Sequence, residues 1–142
     1  MKRLNNIMLL IFLFMSLYLI GTAISQPNRR VQRYGMVIGI KPEMIEKYKR
    51  LHAKPWPGVV NKLHECNIRN YSIYLKELEQ GKYYLFSYFE YIGNDFEADM
   101  AKMAADPETR EWWKQTDPCQ IPIPTRNEGE FWANMKEVFH SR

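Results

Sequence analysis

Tyr34 to Ile40 (YGMVIGI) is apolar wherever it is not glycine, which predicts a short strand. From Lys41 the period lengthens. Met44, Ile45, Tyr48, Leu51 and His52 recur at helical spacing. Pro42 suits the first helical position, and Glu43 suits the favourable first turn. Pro55 lacks an amide proton and restricts Lys54, so this helix is expected to stop near Ala53. A second helical piece is predicted over Pro57 to Glu65, with Val59, Val60 and Leu63 on its apolar side. Ile68 to Leu75 (IRNYSIYL) and Lys82 to Tyr91 (KYYLFSYFEY) read as strands, and the glycine that closes KELEQG suits a hairpin between them. Asp95 to Ala105 reads as an amphipathic helix, with Phe96, Met100 and Met103 on one side. Asp106 is a good N-cap and Pro107 a good first residue for a further helix through Trp112 and Trp113. Asp117 to Gly129 is proline-rich and reads as irregular, and Phe131 to Phe139 reads as a last strand.

The order strand, helix, strand, strand, helix, strand is the β-α-β-β-α-β pattern of the ferredoxin-like α+β fold. The strands are apolar on both faces. Tyr34, Met36, Ile38 and Ile40 alternate with Gly35, Val37 and Gly39, and Tyr84, Phe86 and Tyr88 alternate with Tyr83, Leu85, Ser87 and Phe89. An antiparallel sheet with one wet face alternates apolar with polar residues. Helices cover one face, so the other needs a second cover. A second copy of the sheet, in a two-fold homodimer, is the economical expectation.

The first 25 residues are of another kind. Lys2 and Arg3 precede an apolar run from Ile7 to Ile24, and Ala23-Ile24-Ser25 has the small-x-small form of a signal-peptidase site. A signal peptide or an uncleaved N-terminal membrane anchor over 1–25 is expected, then a basic linker over 26–33 and one domain over 34–142. The domain is expected to be exported, periplasmic or extracellular, or held at the inner membrane by that segment. The formal charge of the 142-residue chain is +4. Of 20 basic residues, 18 remain without Lys2 and Arg3, against 16 acidic ones. They form no long run or stripe, which argues against a nucleic-acid partner. Cys66 and Cys119 form no C-x-x-C. An oxidising compartment permits a disulfide between them, but separate thiols are the plainer expectation, because spacing alone cannot bring two backbones together.

Tyr48 and His52 lie four apart, on one helix face. Histidine titrates near neutral pH and serves either half of acid–base catalysis. The plain alternative is a histidine that bonds the last carbonyls of its helix. Trp56 and the break at Pro55 set a chain reversal beside these rings, which makes a concave site. Alternation places Tyr71 and Ile73 on one strand face and Asn70, Ser72 and Tyr74 on the other; a core tyrosine is the plain reading of either tyrosine alone. Trp112 and Trp113 point about 100° apart on a helix. An indole face can carry the C–H face of a sugar, or can pack a dimer interface. The histidines lack metal-ligand spacing, and no phosphate loop or nucleophile elbow is present.

The runs Y-x-x-x-H-x-x-x-W-P (Tyr48, His52, Trp56, Pro57), N-Y-x-I-Y-L (Asn70 to Leu75) and W-W (Trp112, Trp113) resemble the L-rhamnose mutarotase family. The resemblance extends from about Tyr34 to about Phe139. It implies a dimeric ferredoxin-like α+β barrel and an enzyme that interconverts the α and β anomers of a free deoxy sugar without a cofactor. By the same resemblance His52 corresponds to the proton donor, Tyr48 and Tyr71 to the substrate-contacting tyrosines, and Trp112 and Trp113 to the tryptophan pair. Tyr48 is expected to share in proton relay, and Trp56 to line the sugar site. This chain departs from the family at Ala53 and Gly58, where Asn and Glu are usual, and in its leader and longer proline-rich loop. A non-catalytic dimeric sugar-binding module on the same scaffold is the alternative, and a monooxygenase-like dimer is a third.

Overall fold

The first strand, β1, runs from Gln32 to Ile40. A computed structural model describes residues 31–141. The expected leader over 1–25 and most of the linker lie outside the described residues. Gln32 and Arg33, assigned above to the linker, already pair with Tyr91 and Glu90 of the neighbouring strand.

A 3-10 turn over Pro42–Met44 leads into α1 (Ile45–Ala53), and α2 follows at Pro57–Glu65. The proline pair thus sets the break where it was expected. Strands β2 (Ile68–Glu79) and β3 (Lys82–Tyr91) form a hairpin whose turn carries Gly81 at φ 74°. Helices α3 (Phe96–Ala105) and α4 (Pro107–Thr116) start on Asp95 and Asp106, whose carboxylates accept from the Ala98 and Thr109 amides. Such caps satisfy amides that the first turn leaves unpaired.

The fourth edge differs from expectation. In place of one strand over Phe131 to Phe139 there are two short pieces, β4 (Gln120–Ile121) and β5 (Ala133–Met135). Both pair antiparallel with β1, which advances by one residue, Ile38, while Pro122 to Trp132 loop out of the sheet. Prolines at 122 and 124 cannot donate to a ladder, so the edge strand is interrupted where they fall. The strand order β2-β3-β1, with β4 and β5 sharing the last edge, is that of the ferredoxin-like fold.

Helices cover the face that carries Ile38, Ile40, Leu85 and Phe89. Two core clusters lie beneath them. Ile38, Ile40, Tyr48, Leu85 and Cys119 form one, and Cys66, Ile68, Phe89, Tyr91 and Met103 form the other. The two cysteines are therefore separate buried thiols, one per cluster. The opposite face presents the rows Ala133–Val37–Phe86–Tyr74 and Met135–Gly35–Tyr88–Ser72. Tyr74 is 63% exposed on it. Among the described residues no helix is long and apolar enough to cross a membrane.

Tyr91 anchors the second cluster. It is fully buried, donates to Asp99 at 2.7 Å and accepts from the Asp95 amide at 3.0 Å. Asn67 donates to the same Asp99 carboxylate at 2.8 Å, and these two bonds hold that carboxyl below its usual range. Gly93 packs against the Tyr91 ring so closely that an added methyl would overlap it. Because Tyr91 has no room to yield, Gly93→Ala should lower stability by about 1–3 kcal/mol. A urea-unfolding midpoint equal to that of the unaltered chain would refute this packing.

Candidate functional site

The site begins at the end of α1. Tyr48 and His52 are one turn apart, with ring centroids at 4.1 Å and planes at 27°. His52 Nδ1 lies 3.0 Å from the Tyr48 carbonyl oxygen. A carbonyl only accepts, so Nδ1 carries the hydrogen, and Nε2 of the neutral ring keeps its lone pair. One nitrogen thus bonds a carbonyl of its own helix, as the plainer reading of His52 expected. Burial pushes the imidazole below its ordinary value, against the opposing pull of the carbonyl.

Trp56 precedes α2 in extended backbone, φ −65° and ψ 132°. That turn sets its ring edge-on to Trp112, centroids 5.4 Å apart, and Trp112 meets His52 edge-on at 5.3 Å. The imidazole is thus held between a phenol and an indole. Trp56 itself is not among the residues that line the cavity; it stands behind Trp112. Helix α4 carries both indoles. Its start is fixed by Asp106, which also meets Lys62 of α2 at 3.4 Å. The divergence of adjacent helix positions separates the pair. Trp112 is buried beside His52, and Trp113 packs on the second core cluster. Close to this contact, the space that a side chain at Gly58 would need is filled by the Glu108 carboxylate of α4.

Tyr71 arrives by a different device. The pairing of β2 with β3 slips between Arg69 and Ser72, and Asn70 there has φ 51°. Asparagine tolerates this left-handed conformation better than most residues. Its Nδ2 donates to Glu90 at 2.6 Å, which holds the bulge. One extra residue shifts the alternation, so Ile68 and Tyr71 both face the helices. Tyr71 then meets Phe89 edge-on at 5.6 Å.

Tyr48, His52, Tyr71, Trp112 and Trp113 line one cavity of about 1140 Å³ between sheet and helices. That exceeds the 300–1,000 Å³ usual for small-molecule sites. Tyr48 is buried, and desolvation raises its phenol well above the ordinary value, with Tyr71 adding to the effect. Tyr71 is 44% accessible, and desolvation pushes its hydroxyl up to about 12. Both phenols therefore keep their protons at neutral pH.

Residues that the sequence did not single out share this cavity: Asp117, Gln120, Glu130, Trp132 and Asn134. Asp117 and Gln120 come from the segment read as irregular, Trp132 and Asn134 from the strand after it, and Glu130 from the junction between them. Desolvation raises the Asp117 carboxyl. Glu130 accepts from the Asn127 and Asn134 amides and side chains at 2.6–3.4 Å, which clasps the excursion and holds its carboxyl down at about 2. No periodic signal marks such residues, because the sheet edge and not the local pattern brings them in.

Fold and site together define a ferredoxin-like α+β domain that encloses an aromatic-walled cavity with a neutral histidine and protonated phenols. The sequence model described as L-rhamnose mutarotase matches residues 33–141. The chain belongs to the L-rhamnose mutarotase family. It is 27% identical over 109 residues to an L-rhamnose mutarotase of Brucella anthropi, covering 77% of this chain and 95% of that protein. Identity to an L-rhamnose mutarotase of Lactiplantibacillus plantarum is 27% over 108 residues, 76% of this chain and 96% of that one. The crystal structure of an L-rhamnose mutarotase from Formosa agariphila superposes with a TM-score of 0.58 at 19% identity, over 78% of this chain and 99% of that chain. That likeness bears on the fold.

The lowered His52 value has a measurable sign. The unfolded chain takes up this proton at about 6.5, and the folded one only at lower pH. The contribution of His52 to stability is therefore complete above about 6.5 and falls away as pH drops below it. An NMR titration of the ring protons should give a midpoint below 6.5. A midpoint above it would contradict the buried neutral ring.

Proposed function

We propose that this protein interconverts the α and β anomers of a free deoxy sugar such as L-rhamnose. Family membership supports the reaction class. The observation that carries it to this chain is the His52 ring, neutral, with Nε2 unprotonated inside a cavity of phenols and indoles.

The chemistry then follows from proton affinities. His52 Nε2 takes the proton of the anomeric hydroxyl, while a phenol, Tyr48 or Tyr71, gives its proton to the ring oxygen. The C1–O5 bond breaks and an aldehyde forms. Rotation about C1–C2 presents the other face of the carbonyl, and the ring recloses with both proton transfers reversed. In this reading His52, which the sequence pointed to as the acid, serves as the base on opening and the acid on closing, a role that its bond from Nδ1 supports. Trp112 and Trp113 supply apolar wall to the C–H face of the ring, and Trp56 keeps Trp112 in place.

The same reading extends to assembly and location. The outer face, with Val37, Phe86, Tyr74, Tyr88 and Met135, is covered by a second copy in a two-fold homodimer. The domain acts after export, with residues 1–25 as its leader.

Saturation-transfer NMR on L-rhamnose and a panel of aldoses tests the activity. The protein should accelerate exchange between anomer signals, and His52→Ala should lower that acceleration by about 10²–10⁴-fold. Sugar binding without faster exchange would make the protein a binding module instead. Native mass spectrometry of protein recovered from the cell envelope should give a dimer that lacks residues 1–25, and Phe86→Arg should give monomers. A monomer of the unaltered chain, carrying its full N-terminus, would sink both extensions.

A further inference from the structure

The cavity runs over both core clusters, and its proton-transfer groups stand at one end. Tyr48 belongs to the first cluster, with His52 stacked on it. At the other end Met36, Leu63, Phe96, Met100 and Trp113 line the cavity and pack on the second cluster. All five are half-buried, so the fold does not close over them. Tyr34 stacks on Phe96 with ring centroids at 4.4 Å, which fixes one face of that ring. Arg69, next to Ile68 of the second cluster, lines the cavity too. Its Nη1 donates to the His64 and Ile68 carbonyls at 3.0 and 2.7 Å, and no carboxylate among the described residues pairs with it. An apolar floor with one tethered cation at its margin is thus left open. A pocket of about 300–1,000 Å³ holds a drug-sized ligand. One pyranose is smaller than such a ligand, and this cavity is about 1140 Å³.

We infer that the end over the second cluster is a second sugar subsite, and that the substrates include a short oligosaccharide with a free deoxy sugar at its reducing end. The reducing unit sits at His52. The next unit lays its C–H face on Phe96 and Met100, and Arg69 donates to one of its hydroxyls. Apolar surface under one face and a donor at the rim are what a pyranose can use. The link between the units runs through a hydroxyl other than the anomeric one. The C1–O5 bond of the reducing unit therefore breaks and re-forms while the glycosidic bond stays intact, and no atom is gained or lost. The inference rests on the anomer-exchange reading of this cavity and adds the size of the sugar it takes.

The test uses the full chain, L-rhamnose and reducing disaccharides that end in L-rhamnose, one for each ring hydroxyl that can carry the link. Contacts made alike in the ground and transition states lower KM and leave kcat. One disaccharide should therefore be exchanged with a KM about 10-fold below that of L-rhamnose. Met100→Trp fills the far end from α3, and Leu63→Phe fills it from α2. Each should lower kcat/KM for that disaccharide about 10- to 100-fold more than for L-rhamnose. The inference is overturned if L-rhamnose is exchanged and no disaccharide shows a lower KM, or if both filled variants lower the two substrates equally. If no sugar exchanges its anomers, the mutarotase reading ends alone, and saturation-transfer difference spectra decide the subsite. Both rings of a bound disaccharide should then take up saturation, and Met100→Trp should remove it from the second ring. Saturation confined to one ring of every disaccharide would overturn the subsite there as well. Neither exchange nor binding would end both.

Discussion

A helix cannot run through Pro55, and the site is built on that stop. Because α1 ends at Ala53, His52 stands in its last turn, and its Nδ1 donates to the Tyr48 carbonyl one turn back. The bond fixes the tautomer, and the tautomer leaves Nε2 to accept a proton. The same interruption turns Trp56 onto Trp112, which in turn sets its edge against His52. Ring stacking alone would leave the imidazole free to rotate. Two aromatic walls and one hydrogen bond do not. The setting of the imidazole is therefore a consequence of backbone sterics three residues away.

The sheet supplies the other wall by breaking its own regularity twice. At Asn70 an extra residue changes the phase of β2, so Ile68 remains in the core while Tyr71 reaches the cavity. At Pro122 the edge strand leaves β1 and returns at Ala133. The first irregularity contributes a phenol. The second contributes Gln120 at its root and Glu130, Trp132 and Asn134 where it rejoins. Bulges and interrupted edges commonly re-aim side chains near functional sites. Here each has an identifiable cause, an asparagine that tolerates positive φ and prolines that cannot donate.

Burial is asymmetric, and electrostatics follow it. On the helix side desolvation raises the phenols and lowers the imidazole, so the groups that could exchange protons with a sugar sit uncharged. An uncharged set can surround a neutral ring without stranding an ion. On the other side the sheet is apolar but open, with Phe86 at the centre of a row between Val37 and Tyr74. The described residues resemble half of a sandwich.

Much of this was written in local pattern. Pro42, Pro55, Pro57, Asp106 and Pro107 set helix ends by sterics and capping that act within a few residues, and alternation in Tyr34 to Ile40 and Lys82 to Tyr91 marked strands apolar on both faces. The spacing of Tyr48 and His52 put both on one helix face, and the ladder phase put Tyr71 with Ile73. What no local pattern could decide was which distant groups meet. The split of the last strand, the place of Trp56 behind Trp112 and the Glu108 carboxylate over Gly58 all depend on register and packing between elements far apart in the chain. Periodicity specifies the face a residue takes within its own element; only the assembled tertiary structure specifies what stands opposite that face.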